Sequence, residues 1–267
     1  RCGAGMSEVN DPDAYRTKRE WISATVPAAK KVGKRSIDVY GDGIGRVDLV
    51  QHMGTDLTIV NSARVSFGKH KETLDEKDEK LINYLVKHKH TSTFEHNVVT
   101  LRFVVPLFVR SQHHRHRTWS YNEISRRYTD VNIQFYEPSE FRTQHKSNRQ
   151  ASNPDEITDP MLYTPVQKTS EAVRAHHKES MRLFNKMIDA GVCREQARGV
   201  LPQNMYTEYY GTVNLSNLLK FIELRTHEGA QWEIQKVAEA CLDIAEDLWP
   251  VAVNSYRSIK NEKDSVS

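Results

Sequence analysis

Along most of the chain, apolar residues recur with one of two periods. Leu57, Val60, Ala63 and Phe67 fall three to four residues apart behind Thr55, which predicts a helix capped by that threonine. A short strand over Val47–Val50, ended by Gly54, precedes it. A charged loop from Lys69 to Lys80 leads to a second helix around Leu81, Ile82 and Leu85. From His96 the period changes to two: Val99, Leu101, Phe103 and Val105 alternate with Thr100 and Arg102, as a strand with one buried face requires. Pro106 suits a first helical turn carrying Leu107, Phe108 and Val109. Ile133, Phe135 and Pro138 suggest another short strand and its end. Residues 143–160, rich in Ser, Asn, Gln, Asp and Pro, read as a long loop or an insertion.

Helical periods dominate the second half. Val166, Val173, Met181, Phe184 and Ile188 mark the buried side of a helix from about Pro165 to Ala190, which Gly191 is placed to end. Arg194–Val200 reads as a short helix stopped by Pro202, and Met205–Val213 has the β-favouring content of a strand. Asn214 then caps a helix through Leu215, Leu218, Leu219, Ile222 and Leu224. The last long helix runs from near Ala230 to Trp249, burying Ile234, Val237, Cys241, Ile244 and Leu248, and Pro250 ends it. These elements predict an α/β chain of the α+β type, with a modest central mixed β-sheet flanked by long helices in a single domain over residues 41–258. Residues 1–40 read as a polar N-terminal arm with Trp21 and Ile22 as its main apolar points and room for one short helix, and residues 259–267 as a flexible tail. The first five residues read as a remnant of cloning ahead of Met6.

Composition adds further bounds. With 38% hydrophobic and 27% charged residues and a mean hydropathy of −0.67, the 267-residue chain can build a core and reads as soluble. Lys+Arg 38 against Asp+Glu 35 leaves a formal charge of only +3, so any functional positive charge is local. No run approaches the roughly 18 apolar residues of a membrane span, and no signal peptide is expected. With Cys2 set aside among the first five residues, Cys193 and Cys241 are too few and too isolated for a disulfide framework, which points to a reducing, cytoplasmic setting.

Neither period fits Gln112–Tyr128. Arg115, Arg117, Arg126 and Arg127 share this stretch with His113, His114 and His116, a single acid, Glu123, and the donors Ser120, Asn122, Ser125 and Tyr128. Such a segment is not expected to be a core strand or a core helix. Arginine holds phosphate by bidentate, charge-assisted hydrogen bonds, and Trp119, Tyr121 and Tyr128 supply flat walls. The stretch reads as a surface for something anionic and flat, and a solvated basic loop is the plainer alternative. His88, His90 and His96 add to the histidines, but the neighbouring arginines would repel a dication and no carboxylate or cysteine cluster completes a ligand set, so no metal is expected. Thr91, Ser92 and Thr93 can serve as caps, and neither cysteine has a partner placed to activate a thiolate.

The run from Arg115 through Tyr128 resembles the signature of flavin-dependent thymidylate synthases, Arg-His-Arg-x-x-Ser-x-Asn-Glu-x-Ser-x-Arg-Tyr, at every fixed position. Further blocks agree in the same order: Ala63–Ser66, His90 with Phe94-Glu95-His96, Arg198 before Leu201-Pro202, Leu224-Arg225, and Ala230–Glu233. The resemblance spans roughly residues 45 to 255. It implies a homotetramer with active sites shared between subunits, in which dUMP is methylated at C5 with methylenetetrahydrofolate as carbon donor and NADPH as reductant through bound FAD. It implies catalytic roles for Arg225, His90 and Ser125, with Arg225 polarising the uracil by favouring ionisation at N3. It places Gln112, His113, His114, Arg115, Glu123, Ile124, Ser125, Arg126, Arg127, Arg198 and Arg225 on dUMP. FAD would meet Ser92, Glu95, Arg115, His116, Arg117, Glu123, Asn214 and Lys220.

The inventory suits two flat anions, and guanidinium activation of uracil is electrostatic stabilisation that needs no cysteine nucleophile. No Gly-x-Gly-x-x-Gly fingerprint is present, so FAD would not sit in a Rossmann site. The chain departs from the family's usual pattern at Ser216 and Lys220, in the helix that meets the flavin, and at Gly229, where many members carry His. The rival readings are a nucleic-acid-binding module, against which the near-neutral charge counts, and a zinc hydrolase.

Overall fold

Strand β1 (Ser36–Asp38) pairs antiparallel with β2 (Arg46–Met53), so the sheet starts inside the stretch read as an arm. The structure, a computed structural model, describes residues 35–163 and 167–264, and from Ser36 onward they form one unit. Trp21, Ile22 and Val166 lie outside the described residues. Gly54 ends β2 at φ +86°, where a Cβ would come within 2.8 Å of the Asn97 side chain, so this position requires glycine.

Helix α1 (Asp56–Arg64) follows, with Thr55 as its cap. It buries Asp56, Ile59 and Val60, while Phe67, expected on the buried face, is 78% exposed because the chain leaves the helix for a 3-10 turn at Val65–Phe67. Helix α2 (Glu76–Lys87) starts inside the expected charged loop, since Asp75 accepts from the backbone N–H groups of Lys77 and Asp78 and caps it. A 3-10 turn at Thr91–Phe94 leads to β3 (Val98–Pro106), the central strand. Val99, Leu101, Phe103 and Val105 are at most 1% exposed. Each contributes about 1.5–3 kcal/mol by burial, and a one-residue slip would turn Arg102 into the core instead. That asymmetry holds the register.

Helix α3 (Leu107–His113) and β4 (Ser120–Glu123) come next, then a hairpin of β5 (Phe141–Gln144) and β6 (Ser152–Thr158) where a loop was expected. Its side chains are mostly exposed, so no alternation marks it in the sequence. The strand expected around Phe135 is reduced to a single bridge with Met205. A small pair, β7 (Met161–Tyr163) and β8 (Gln167–Lys168), precedes α4 (Thr169–Asp189), which buries His177, Ser180 and Phe184 and ends before Gly191 at φ +86°. The short α5 (Arg194–Ala197) runs into a 3-10 turn at Arg198–Val200, and β9 (Tyr206–Asn214) returns to the sheet.

The last three helices are α6 (Leu215–Arg225), α7 (Trp232–Leu248) and α8 (Pro250–Asp264). Pro250 therefore opens a helix where an end and a flexible tail were expected. Proline is tolerated in a first turn, and the Asp56 carboxylate accepts the backbone N–H groups of Val251 and Ala252 at 3.0 Å each, satisfying donors that a helix start leaves free.

The five-stranded sheet has the order β1-β2-β3-β9-β4, and every pair in it is antiparallel, not mixed as expected. Apolar periodicity reports which face of a strand is buried and not which way the strand runs. The helices α6, α7 and α8 supply most of the main core against β3 and β9, with Phe221, Ile222, Ile234, Val237, Trp249 and Val253 fully buried. A smaller cluster of Val104, Tyr136 and Tyr206 covers part of the other face.

Candidate active site

The site lies where β3 hands over to α3 and the chain turns back along the sheet edge. Gln112–Tyr128 is not one exposed loop: it takes in the end of α3 and all of β4, which pairs with β9. Trp119 is 5% exposed and packs across Phe103 above Gly211. A Cβ at Gly211 would meet both rings at 3.0 Å, so the close approach of this edge depends on glycine. His113, placed on dUMP by resemblance, is fully buried among Phe103, Trp119 and Phe221, with Nδ1 2.7 Å from Tyr209 Oη. Burial first, then His116, His114 and Arg225, depress its pKa far below the usual value. A neutral core histidine cannot reach a ligand from there. Tyr121 Oη donates toward the carbonyls of His113 and His116 at 3.0 Å each, tying the turn between α3 and β4.

Arg225 closes the other side of this turn. In the last turn of α6, its Nε donates to His116 Nε2 at 3.1 Å and its Nη2 to the Gln112 carbonyl at 3.1 Å. A guanidinium has no acceptor, so His116 must offer a bare nitrogen. Burial, and secondarily Arg225, depress its pKa to about 4, which leaves it neutral. The helix C-terminus favours a cation there. Gln112 Oε1 and His114 Nε2, two residues apart, are buried without a partner among the described residues. Orphaned polar atoms beside a fixed cation suit a polar ligand.

The acidic end is built differently. Glu123 accepts from Thr207 Oγ1 at 2.6 Å and pairs with Arg110 at 3.2 Å. Ser125 closes a tight turn, its carbonyl accepting from Tyr128 N–H at 3.0 Å, and Ile124 is partly exposed. Arg126, also placed on dUMP, turns inward: it is 8% exposed and its Nη1 donates to the Val131 carbonyl at 2.9 Å. Arg127 stays exposed and pairs with Glu195 of α5 at 3.2 Å, which brings it to the turn that carries exposed Arg198. Arg115 and Arg117 are exposed as well.

On the opposite face of α6 lies a cleft of about 830 Å³, within the usual range for ligand pockets. His90, Thr91, Ser216, Lys220 and Lys260 line it over an apolar floor that includes Leu85, Phe94 and Leu219. The expected FAD set is therefore divided. Lys220 faces the cleft, beside His90 of the expected catalytic set, whereas His116 packs on Phe221 across the helix. Ser92 and Glu95 are exposed at the adjoining turn. Asn214 uses its Oδ1 to accept from Asn217 N–H at 2.9 Å, which is a cap. Lys89, Lys220 and Lys260 stand over the apolar floor, with Glu223 and Glu228 also in the lining, and the three amines above apolar side chains suit the diphosphate and flat ring of a flavin dinucleotide.

Sequence reading gave no site role to Arg110, Thr207, Tyr209 and Lys260, and took Gln231 only as part of a matching block. Thr207 and Tyr209 carried only the period-two signal of a buried strand face. Lys260 fell in the expected tail. Among the described residues no group of three or more His, Cys, Asp or Glu is arranged to hold a metal, and no helix is long and apolar enough to cross a membrane.

The family model for the thymidylate synthase complementing protein matches residues 48–251. A flavin-dependent thymidylate synthase of Thermus thermophilus is 42% identical over 208 residues, 78% of this chain and 74% of that one. One from Thermosipho africanus is 39% identical over 212 residues, 79% of this chain and 90% of that one. Among solved structures, a UMP/dUMP methylase from Streptomyces cacaoi with 5-Br dUMP bound superposes with a TM-score of 0.69 at 30% identity, covering 79% of this chain and 94% of the other. With its family model and its relatives in agreement, this chain belongs to the flavin-dependent thymidylate synthase family.

Proposed function

We propose that this protein methylates dUMP at C5 to give dTMP, with FAD as its flavin, NADPH as reductant and methylenetetrahydrofolate as carbon donor, in the cytoplasm. The observation that carries this reading is Arg225, held between His116 Nε2 and the Gln112 carbonyl with its charge directed to the end of α3. A guanidinium fixed in this way stabilises negative charge developing on a pyrimidine carbonyl, and its position needs no reorganisation during reaction. Burial draws Arg225 below the usual guanidinium pKa, yet such a group stays charged at neutral pH.

Exposed Arg127 and Arg198, one on each side of the Glu195 contact, suit the nucleotide phosphate. Ser125 and Glu123 orient donors and acceptors around it, and Arg115 and His114 complete the nucleotide side. FAD, when bound, supplies the hydride chemistry that a polypeptide lacks. Lys220 and His90 would hold it in the cleft, with Ser92 and Glu95 at the rim. Ser216 offers no charge, so Lys89, Lys220 and Lys260 are the lysines available to a diphosphate there. Because α6 separates this cleft from Arg115, His116 and Arg117, a second copy of the chain would bring its own Arg115 and Arg117 to the cleft, in keeping with a homotetramer. Cys241 is buried in the core and Cys193 stands exposed outside the cluster, so neither serves as nucleophile.

The test is spectroscopic and chemical. The purified protein is expected to show a flavin spectrum that bleaches with NADPH, and to convert dUMP to dTMP when methylenetetrahydrofolate is added. A folded protein that takes up no flavin after reconstitution would sink the proposal.

A further inference from the structure

Helix α2 ends in a turn that ordinarily calls for glycine. The His90 N–H donates to the Leu85 carbonyl at 2.9 Å and the Lys89 N–H to the Val86 carbonyl at 3.1 Å, the two closing bonds of a Schellman motif. The residue just past the cap, His88, must then be left-handed, and Lys89 takes that place at φ +56°. A Cβ is strained in this conformation, which is why glycine, and less often asparagine, usually follows such a cap. Among the described residues Asn132 is the only other non-glycine with positive φ, and asparagine tolerates it. Local stability does not select a lysine at position 89.

The same residue lines the cleft beside α6, with Lys220 and Lys260. Lys260 Nζ is already engaged, donating to Thr226 Oγ1 at 2.9 Å. The side chains of Lys89 and Lys220 make no hydrogen bond or ion pair among the described residues, although Glu223 and Glu228 share the lining. Ser216 adds no charge to this wall. We propose that Lys89 occupies a strained backbone position because its ammonium, with that of Lys220, binds the diphosphate of the flavin dinucleotide. This rests on the reading above, in which FAD occupies the cleft. Each phosphate of the diphosphate carries a negative charge, so Lys220 alone would leave one unmatched. An ammonium on a flexible stem meets a phosphate oxygen without the fixed fork geometry an arginine needs. The turn's two hydrogen bonds set the point on the rim from which that stem springs. Strain kept at a ligand site, where the surrounding structure enforces it, is the expected place for such an outlier.

The test titrates the full-length protein, freed of flavin, with FAD and with riboflavin, which has the ring without the phosphates. Each variant is also melted in the absence of flavin. Lys89→Gly removes the amine and the strain together. Its Tm is expected to rise by roughly 2–4 °C, while FAD affinity falls roughly fivefold and riboflavin affinity holds. Lys89→Ala removes the amine and keeps the strain, so the same loss of FAD affinity is expected with Tm near wild type. Lys89→Arg keeps the cation and is expected to bind FAD within about twofold of wild type. FAD affinity unchanged in the glycine and alanine variants overturns the role of Lys89 and leaves the flavin reading standing. So does a parallel loss of FAD and riboflavin, which would trace to a reshaped turn and not to a missing charge. A glycine variant that melts no higher than wild type overturns the claim of strain. Wild-type protein that binds neither flavin overturns the flavin reading and this inference together.

Discussion

Replacing Arg225 by alanine removes one guanidinium and two hydrogen bonds, and its effects on rate, stability and pH response separate cleanly. Loss of a single preorganised donor to developing charge typically lowers kcat by about 10²–10³. The folded state loses the bonds to His116 Nε2 and the Gln112 carbonyl. Charge-assisted hydrogen bonds contribute about 1.5–3 kcal/mol, but Arg225 is half-buried and solvent screens it, so a total of about 1–2 kcal/mol is expected. For a domain of this size each kcal/mol moves Tm by roughly 2–4 °C.

The pH response follows from His116, which burial and then Arg225 hold at about 4. Between that value and the ordinary 6.5, the unfolded chain binds a proton that the folded chain refuses. Stability therefore rises with pH across this window. The contribution is complete above the upper value and is lost as pH falls through the lower one. For a half-exposed ring it amounts to about 1–2 kcal/mol after screening. Without Arg225 the imidazole pKa climbs and the window narrows, so wild type and variant converge in Tm as pH falls from 7 toward 4. Thermal melts at several pH values, with dTMP formation measured on flavin-loaded protein, read all three effects. Turnover within a few-fold of wild type would remove Arg225 from the activating role, and parallel Tm–pH curves would remove its coupling to His116.

Two further substitutions test the frame around the site. Tyr209→Phe strips the hydroxyl from a fully buried pair and leaves His113 Nδ1 unpartnered, at a cost of about 1–3 kcal/mol. A denaturant midpoint unchanged from wild type would mean the hydrogen bond contributes nothing. Asp56→Ala leaves the N–H groups of Val251 and Ala252 without their acceptor, at a similar cost of about 1–3 kcal/mol. Because α8 carries Lys260 to the cleft wall, flavin affinity should fall with stability, and flavin binding unchanged in a destabilised variant would separate the two.

The sequence by itself determined most of the elements and the identity of the charged groups. Period-two alternation placed β3, and the repeats behind Asn214 and Ala230 placed α6 and α7, because burial of one face is a local constraint written into residue spacing. The signature run named Arg115, Glu123 and Arg127 for the same reason: their chemistry is a property of residue type. Spacing carries no information about what comes to meet a side chain from elsewhere. Arg126 and Arg127 are neighbours of equal charge, yet one turns into its own loop at Val131 and the other reaches Glu195. His113 reads like His114 and His116, but only packing sends it into the core. The exposed β5–β6 hairpin and the proline-led α8 left no apolar pattern to follow. Gln231, more than a hundred residues from Gln112, meets it only when α7 packs beside α3. That juxtaposition is tertiary, because a hydrogen bond depends on distance in space and not on distance along the chain.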